Sequence, residues 1–154
     1  MAQYWFVKNK RWRALMVDTY KGKISKLFFV TDAFNVISFL KNESSDFPKC
    51  IFKMPKSSLS NENFVQIIKL LVAKNCKLIA FSGNDAEHYH DMADDYLVGL
   101  DFGTEVMTTF HDEEPDDEVA NFVVNGISTI NSNRVLLIVE DIVNDPIKNK
   151  LLKL

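Results

Sequence analysis

The residues with the greatest chemical capacity in this sequence are carboxylates and histidines, and most of them lie in one stretch. Residues 81–133 contain thirteen acidic residues, all three histidines and no Lys or Arg. Residues 1–80 are the opposite, with fourteen Lys and Arg against five acidic residues. The net charge of −3 over 154 residues therefore hides a strong polarity along the chain. Such polarity predicts electrostatic recognition of a charged partner.

The acidic stretch predicts a surface that binds a basic protein. Opposite charges steer the encounter of two proteins and favour a partner of complementary charge. Eight carboxylates between residues 85 and 118 are the candidate partner-binding residues: Asp91, Asp94, Asp95, Asp112, Glu113, Glu114, Asp116 and Asp117.

A second set of three carboxylates, which shares Asp112 with the first set, supports an alternative function, that of a magnesium-dependent phosphoesterase or other hydrolase. Asp18, Asp112 and Asp141 each lie at or just after the end of a predicted strand. In a parallel sheet these ends share one edge, where ligands usually bind, and Mg²⁺ prefers oxygen ligands. The segment from Asp18 to Tyr20 resembles the first motif of aspartate-nucleophile phosphatases, but Tyr20 stands where a second aspartate is expected. Aspartate is also common at such positions because it caps helices.

Two histidine–aspartate pairs suggest a transition-metal site on one predicted helix. At helical spacing, His88 lies near Asp91 and His90 lies near Asp94. The two pairs lie on different sides of the helix, and the sequence contains no His-Glu-x-x-His pattern. We therefore interpret these residues as a solvated acidic face, and we predict no cofactor, no metal and no catalytic residue.

The motifs of several common functional classes are missing from the sequence. The five glycines form neither a G-x-G-x-x-G fingerprint nor a P-loop, and there is no G-x-S-x-G elbow. Cys50 and Cys76 form no C-x-x-C motif, so we predict reduced, buried thiols. The N-terminus, with Trp5 and Trp12 among basic residues, offers stacking faces for nucleic acid, but the many carboxylates would repel a phosphate backbone.

The expected location is the cytoplasm. No apolar run approaches the about 18 residues needed to span a membrane, and the N-terminus lacks the apolar core of a signal peptide.

Hydrophobic periodicity predicts an α/β fold in which strands alternate with helices. Near-continuous apolar strands joined by helices indicate a mainly parallel sheet that is covered on both faces. We predict a single domain over residues 1–154, with about five strands. Residues 24–30 fit either a second strand of a hairpin or the lead-in to a helix. The predicted strands are 14–18, 50–54, 77–81, 106–110 and 135–139, and the predicted helices begin near residues 32, 64, 84, 115 and 145.

The middle of the chain, from Asn75 to Glu118, resembles an uncharacterised family of small bacterial domains. Its members carry a Gly-Cys strand, a Gly-x-Asp turn and a Met-Thr-Thr-aromatic-His block followed by acidic residues. The counterparts here are Asn75-Cys76, residues 83–85 and residues 107–111. The chain departs from the pattern at Asn75 and at Phe81-Ser82, where an aromatic-Gly pair is usual. The resemblance implies a bacterial origin and an α/β fold, and it implies no activity.

In general character the chain also resembles the immunity proteins that neutralise secreted bacterial toxins. It has an acidic stretch and no catalytic motif, and toxin domains are often basic nucleases whose nucleic-acid site an acidic surface can occupy. This resemblance implies a cytoplasmic inhibitor of a basic toxin domain, with no membrane and no nucleic acid as partner. Self-association between the basic and acidic parts of two chains is a third possibility.

Overall fold

The computed structural model describes residues 2–5, 13–19, 23–32, 35–100, 105–127, 129–130, 134–142 and 144–154. For residues up to 30 and for residue 152, only the backbone is described. The strands are β1 (Ala2–Trp5), β2 (Arg13–Thr19), β3 (Lys23–Asp32), β4 (Lys49–Lys53), β5 (Leu78–Ser82), β6 (Met107–His111) and β7 (Arg134–Val139). The helices are α1 (Val36–Asn42), α2 (Asn61–Ala73), α3 (Ala86–Val98), α4 (Asp116–Asn125) and α5 (Pro146–Leu152).

The described strands form one sheet in the order β1-β2-β3-β7-β4-β5-β6. The five strands from β3 to β6 in this order are parallel, and β2 and β1 extend the sheet antiparallel from β3. The predicted α/β fold with a mainly parallel sheet of about five strands is confirmed. The segment 24–30 is a strand of a hairpin, and β1 is a strand that the sequence did not predict.

The order of the strands decides which helix covers which face of the sheet. From β3 through β4 and β5 to β6, the chain moves across the sheet in one direction, and from β6 to β7 it returns. Crossovers between parallel strands are almost always right-handed, so a reversal of direction changes the face. Accordingly, α1, α2 and α3 pack into one core, whereas α4 and α5 pack into a second core on the other face. Helices therefore flank both faces, as predicted.

Side chains of the central strands alternate between these two cores. On β4, Cys50 and Phe52 point into the first core and Ile51 points into the second. Burial on both faces explains why these strands are continuously apolar in sequence. Burial also raises the pKa of the Cys76 thiol to about 12 and the pKa of Cys50 well above its usual value. Both cysteines are free and buried, as predicted, and their protonated thiols are unreactive.

The helices begin with different capping arrangements. The Ser60 hydroxyl accepts a hydrogen bond from the Asn63 amide at 3.2 Å, which caps α2. The Asp145 carboxylate accepts one from the Ile147 amide at 3.0 Å and caps α5. Helix α3 begins at Ala86, close to the predicted start near residue 84, and the Asp85 side chain at its N-cap makes no capping hydrogen bond. Among the described residues, no helix is both long enough and apolar enough to cross a membrane.

Aromatic packing around Phe52 holds the first core together. The Phe52 ring centroid lies 5.4 Å from that of Phe64, 5.6 Å from Phe81 and 4.9 Å from Tyr89. These four rings come from β4, α2, β5 and α3, so one side chain links two strands to two helices. Aromatic pairs at such distances add to the stability that comes from burial alone.

We predict that Phe52→Ala lowers the free energy of unfolding by about 3–5 kcal/mol, because it removes a fully buried ring and leaves a cavity. Urea unfolding of the two proteins measures the difference. Val98→Ala is the matched control, since Val98 is 83% exposed and its truncation should change the free energy by less than about 0.5 kcal/mol. Equal effects of the two substitutions would contradict the central role of Phe52.

Candidate functional site: an acidic edge of the sheet

Strand β6 ends the sheet in the part of the chain that the structure describes, and it pairs with β5. Helix α3 packs against one face of β6. There the Thr108 hydroxyl donates a hydrogen bond to the Asp94 carboxylate, and the Phe110 ring lies 4.9 Å from the His90 ring. On the other face the His111 ring lies 4.9 Å from the ring of Phe122 in α4. We call β6, together with α3 and residues 112–118, the β6 edge.

Two apolar side chains of β6 reach solvent. Met107 is 44% exposed and Phe110 is 43% exposed, whereas the side chains of β5 are buried throughout. Exposed apolar side chains within a polar rim are typical of protein–protein interfaces. The β6 edge thus combines one exposed apolar side chain on each face of the strand with the charged residues described next.

The eight predicted partner-binding carboxylates lie on both flanks of β6. Asp91, Asp94 and Asp95 belong to α3, residues 112–114 form the loop after β6, and Asp116 and Asp117 open α4. All of them are exposed except Asp94 and Asp116, which are half-buried. The structure therefore spreads these carboxylates over two helices and the loop between β6 and α4, and one of them, Asp116, pairs with Lys53 at the end of β4.

His111 fixes the loop that carries part of this charge. Its side chain is 7% exposed, its Nδ1 lies 2.8 Å from Glu114 Oε2 and its Nε2 lies 2.9 Å from the Thr109 hydroxyl. The imidazole thereby joins the end of β6 to residue 114. The sequence analysis noted that this histidine lies within the acidic stretch but did not assign it this positioning role.

The three carboxylates of the magnesium hypothesis do not meet. Strand β2 runs antiparallel to β3, and the backbone of Asp18 pairs with Ile24 near the start of β3. Asp18 therefore lies near the amino ends of the parallel strands, whereas Asp112 and Asp141 follow their carboxyl ends. The ends of β6 and β7 are themselves separated by β4 and β5, a distance of roughly 14 Å at the usual strand spacing. The expected convergence of Asp18, Asp112 and Asp141 is therefore wrong.

Of the two predicted histidine–aspartate pairs, the one between His90 and Asp94 is confirmed, whereas no contact between His88 and Asp91 is found among the described residues. The His90 ring contacts both neighbours, with Nδ1 at 3.1 Å from Asp91 and Nε2 at 3.5 Å from Asp94. His88 instead packs against the Tyr89 ring at 5.3 Å. Within the described residues, no group of three or more His, Cys, Asp or Glu side chains is arranged to hold a metal ion.

A cleft of about 270 Å³ opens at the carboxyl ends of β4, β5 and β7. Strand β4 leads to α2 on one face and β7 leads to α5 on the other, so the cleft lies where the connections change face. Ligands of open α/β sheets usually bind at such a point. The sequence analysis missed the cleft because its position depends on strand order. Its lining comprises Lys53, Met54, Pro55, Gly83, Asn84, Asp85, Glu140 and Asp145.

The polar groups of this cleft are largely engaged within the fold. Lys53 Nζ lies 3.2 Å from Asp116 Oδ1 and 3.1 Å from Asp145 Oδ1, so it joins β4 to the starts of α4 and α5. Asp85 accepts a hydrogen bond from the Lys56 amide at 2.8 Å, and Glu140 accepts one from a serine hydroxyl at 2.9 Å. These contacts indicate a structural role for the cleft residues, whereas most carboxylates of the β6 edge face solvent.

We predict that Lys53→Met lowers the free energy of unfolding by about 1–3 kcal/mol, because Asp116 and Asp145 lose their shared counter-charge in a half-buried site. Adding Asp116→Asn should restore part of the loss by removing one of the two repelling carboxylates. Lys56→Met is the matched control, because that side chain is exposed. Urea unfolding measures both losses, and equal losses for the two lysine variants would contradict the bridging role.

The buried phenol of Tyr89 gives a pH-dependent prediction. Its hydroxyl donates to the Pro55 carbonyl at 3.0 Å, and burial, together with the nearby Asp85 charge, raises its pKa to about 12. Between about pH 10 and 12 the unfolded chain releases this proton and the folded chain keeps it, so rising pH lowers the free energy of unfolding. Tyr89→Phe lacks this loss. The difference in free energy of unfolding between the natural chain and Tyr89→Phe, measured by urea unfolding, should therefore shrink in favour of the variant from about pH 10 to 12. A difference that stays constant over this range would contradict the raised pKa of Tyr89.

Comparisons with known proteins place the chain in a family. A search of curated protein sequences finds no match. A family model described as a domain of unknown function, DUF7684, matches residues 36–154. This match runs from α1 to the end of α5, so it includes the β6 edge and the cleft and leaves out the hairpin strands before α1. It extends well beyond the resemblance at residues 75–118 and confirms an uncharacterised family. The chain belongs to the DUF7684 family of domains of unknown function.

Proposed function

We propose that this chain is an immunity-type protein of the bacterial cytoplasm. In this proposal it binds and neutralises a basic toxin domain, of the nuclease class, through the β6 edge. The observation that carries the proposal is the arrangement of the carboxylates, which flank an exposed strand on both sides without an intervening Lys or Arg between residues 81 and 133.

The spread of the charge favours binding over catalysis. Metal-dependent hydrolysis needs carboxylates that converge on one ion at bonding distance. A recognition surface instead needs charge distributed around an apolar centre. Met107 and Phe110 supply one exposed apolar side chain on each face of β6, and the exposed acidic residues of α3 and of the loop after β6 surround them with charge.

Much of this acidic charge has no counter-charge within the described part of the molecule. Asp116 pairs with Lys53, and Glu105 pairs with Lys77 at 3.1 Å. Asp95, Asp112, Glu113 and Asp117 make no ion pair with any described residue. Carboxylates crowded in this way repel one another, and a basic partner would relieve that repulsion. A nuclease domain, which is basic where it holds nucleic acid, fits this requirement.

The first test is a charge reversal on α3. Asp91→Lys combined with Asp95→Lys should weaken binding of a basic partner by at least about tenfold at low salt, because two attractive contacts become repulsive. The candidate partner to test first is the product of the gene next to that of this chain, with binding measured by calorimetry and with inhibition of any nuclease activity that this product shows. Binding by the natural chain should weaken steeply as salt rises.

A matched control changes the total charge equally but away from β6. Asp46→Lys combined with Glu62→Lys alters two exposed carboxylates, one before β4 and one in the first turn of α2. This variant should bind and inhibit nearly as well as the natural chain, and thermal unfolding checks that both variants fold. Binding that does not depend on salt, or full binding by the α3 variant, would refute the proposed function.

A further inference from the structure

We infer that β6 accepts an extended, basic segment of the partner as an additional strand of the sheet. The inference rests on the proposed function and specifies how the partner docks. An extended segment that pairs with an exposed edge gains affinity from main-chain hydrogen bonds and specificity from its alternating side chains.

Among the described residues, β6 pairs on one side only, with β5, and its other side is available for such pairing. The Met107 amide donates to the Lys77 carbonyl at 2.8 Å, so the backbone groups of Met107 face β5. Backbone groups in a strand alternate in direction, and those of Thr108 and Phe110 therefore point away from β5. Two residues thus offer amides and carbonyls to an incoming strand.

Strand β6 itself, whose five residues are all described, lacks three of the features by which proteins usually block strand addition. Lys, Pro and bulges are the common protections of an edge strand. The sequence of β6 is Met-Thr-Thr-Phe-His, and its five residues pair with β5 in continuous register without a bulge. An unprotected edge with two exposed apolar side chains is an aggregation hazard unless a partner covers it.

The charge around the edge selects the chemistry of the added strand. On the α3 face, Asp94 lies beside Thr108 and Asp91 lies beside His90, which contacts Phe110. On the other face, His111 holds Glu114 near the end of the strand. Side chains of an added strand would alternate between these two faces, so lysine or arginine at alternate positions would meet carboxylates. An acidic or uncharged segment would leave these carboxylates without a counter-charge.

A short synthetic peptide can stand in for the natural partner in a test of this docking mode. The probe is a fluorescent peptide of sequence Thr-Lys-Val-Lys-Val-Lys-Thr, which spans the length of β6. It should bind the natural chain in a salt-dependent manner, as measured by fluorescence anisotropy. In a parallel hydrogen-exchange experiment, the peptide should slow exchange of the Thr108 and Phe110 amides at least about tenfold.

Two variants at one position separate strand pairing from side-chain contact. Phe110→Pro removes the ring and an outward amide but leaves the hydrogen bonds to β5, whereas Phe110→Val removes the ring alone. We expect the Pro variant to bind the peptide at least about tenfold more weakly than the Val variant. If the Pro variant does not fold, the exchange experiment on the natural chain decides.

Other outcomes would overturn the inference in different ways. Salt-dependent binding that is equal in both variants, with no slowing of exchange, would mean that the acidic surface attracts basic segments without strand addition. The proposed function would then stand. Failure of the peptide to bind a monomeric chain would exclude strand addition at β6. A dimer in sedimentation that does not bind the peptide would show that a second copy covers β6, which would also overturn the inference. The binding assay with the charge-reversed chain would still test the proposed function independently.

Discussion

The parallel ladder that joins β3, β7, β4, β5 and β6 is the constraint on which the rest of the structure depends. Parallel neighbours cannot be joined by a tight turn, so each connection must cross the sheet, here with a helix. Because the chain turns back only between β6 and β7, three helices cover one face and the last two cover the other. The same reversal leaves β6 at the end of the sheet. An exposed edge beside two acidic segments is thus a consequence of the topology.

Two lysines of the first half, Lys49 and Lys53, contact helix ends, and within the described residues most carboxylates of the β6 edge have no lysine or arginine partner. Lys49 is buried, and its ammonium donates to the Val124 carbonyl near the end of α4, where the helix dipole is negative. Burial lowers the pKa of Lys49. Lys53 neutralises the starts of α4 and α5. These two lysines therefore stabilise helix ends on the second face of the sheet. Within the described residues, Asp91 and Asp94 of α3 are contacted by His90 and Thr108 and not by a lysine.

Local patterns in the sequence predicted most of the elements but not their arrangement. The apolar stripe of α2 and the continuous apolar strands predicted helices and strands close to their observed bounds, and the charge count predicted the acidic surface. Strand order depends on pairing between distant segments, which periodicity does not encode. For this reason Asp18 was wrongly predicted to lie with Asp112 and Asp141 at the carboxyl ends of the parallel strands. The cleft at Lys53 was missed, and the exposure of Phe110 was not expected. The β1 strand was missed because four residues are too few to show a period.

Charge and strand pairing would act on different steps of recognition at the β6 edge. Long-range attraction raises the rate of encounter and falls with salt, whereas affinity among related complexes is set mainly by the rate of dissociation. Carboxylates at exposed positions such as Asp95 and Glu113 suit the first step. The outward backbone groups of Thr108 and Phe110 suit slow dissociation. Directional hydrogen bonds break slowly where apolar side chains, here those of Phe110 and Met107, shield them from water. A surface with both properties can capture a basic partner quickly and retain it, which is what the proposed neutralisation of a toxin would require.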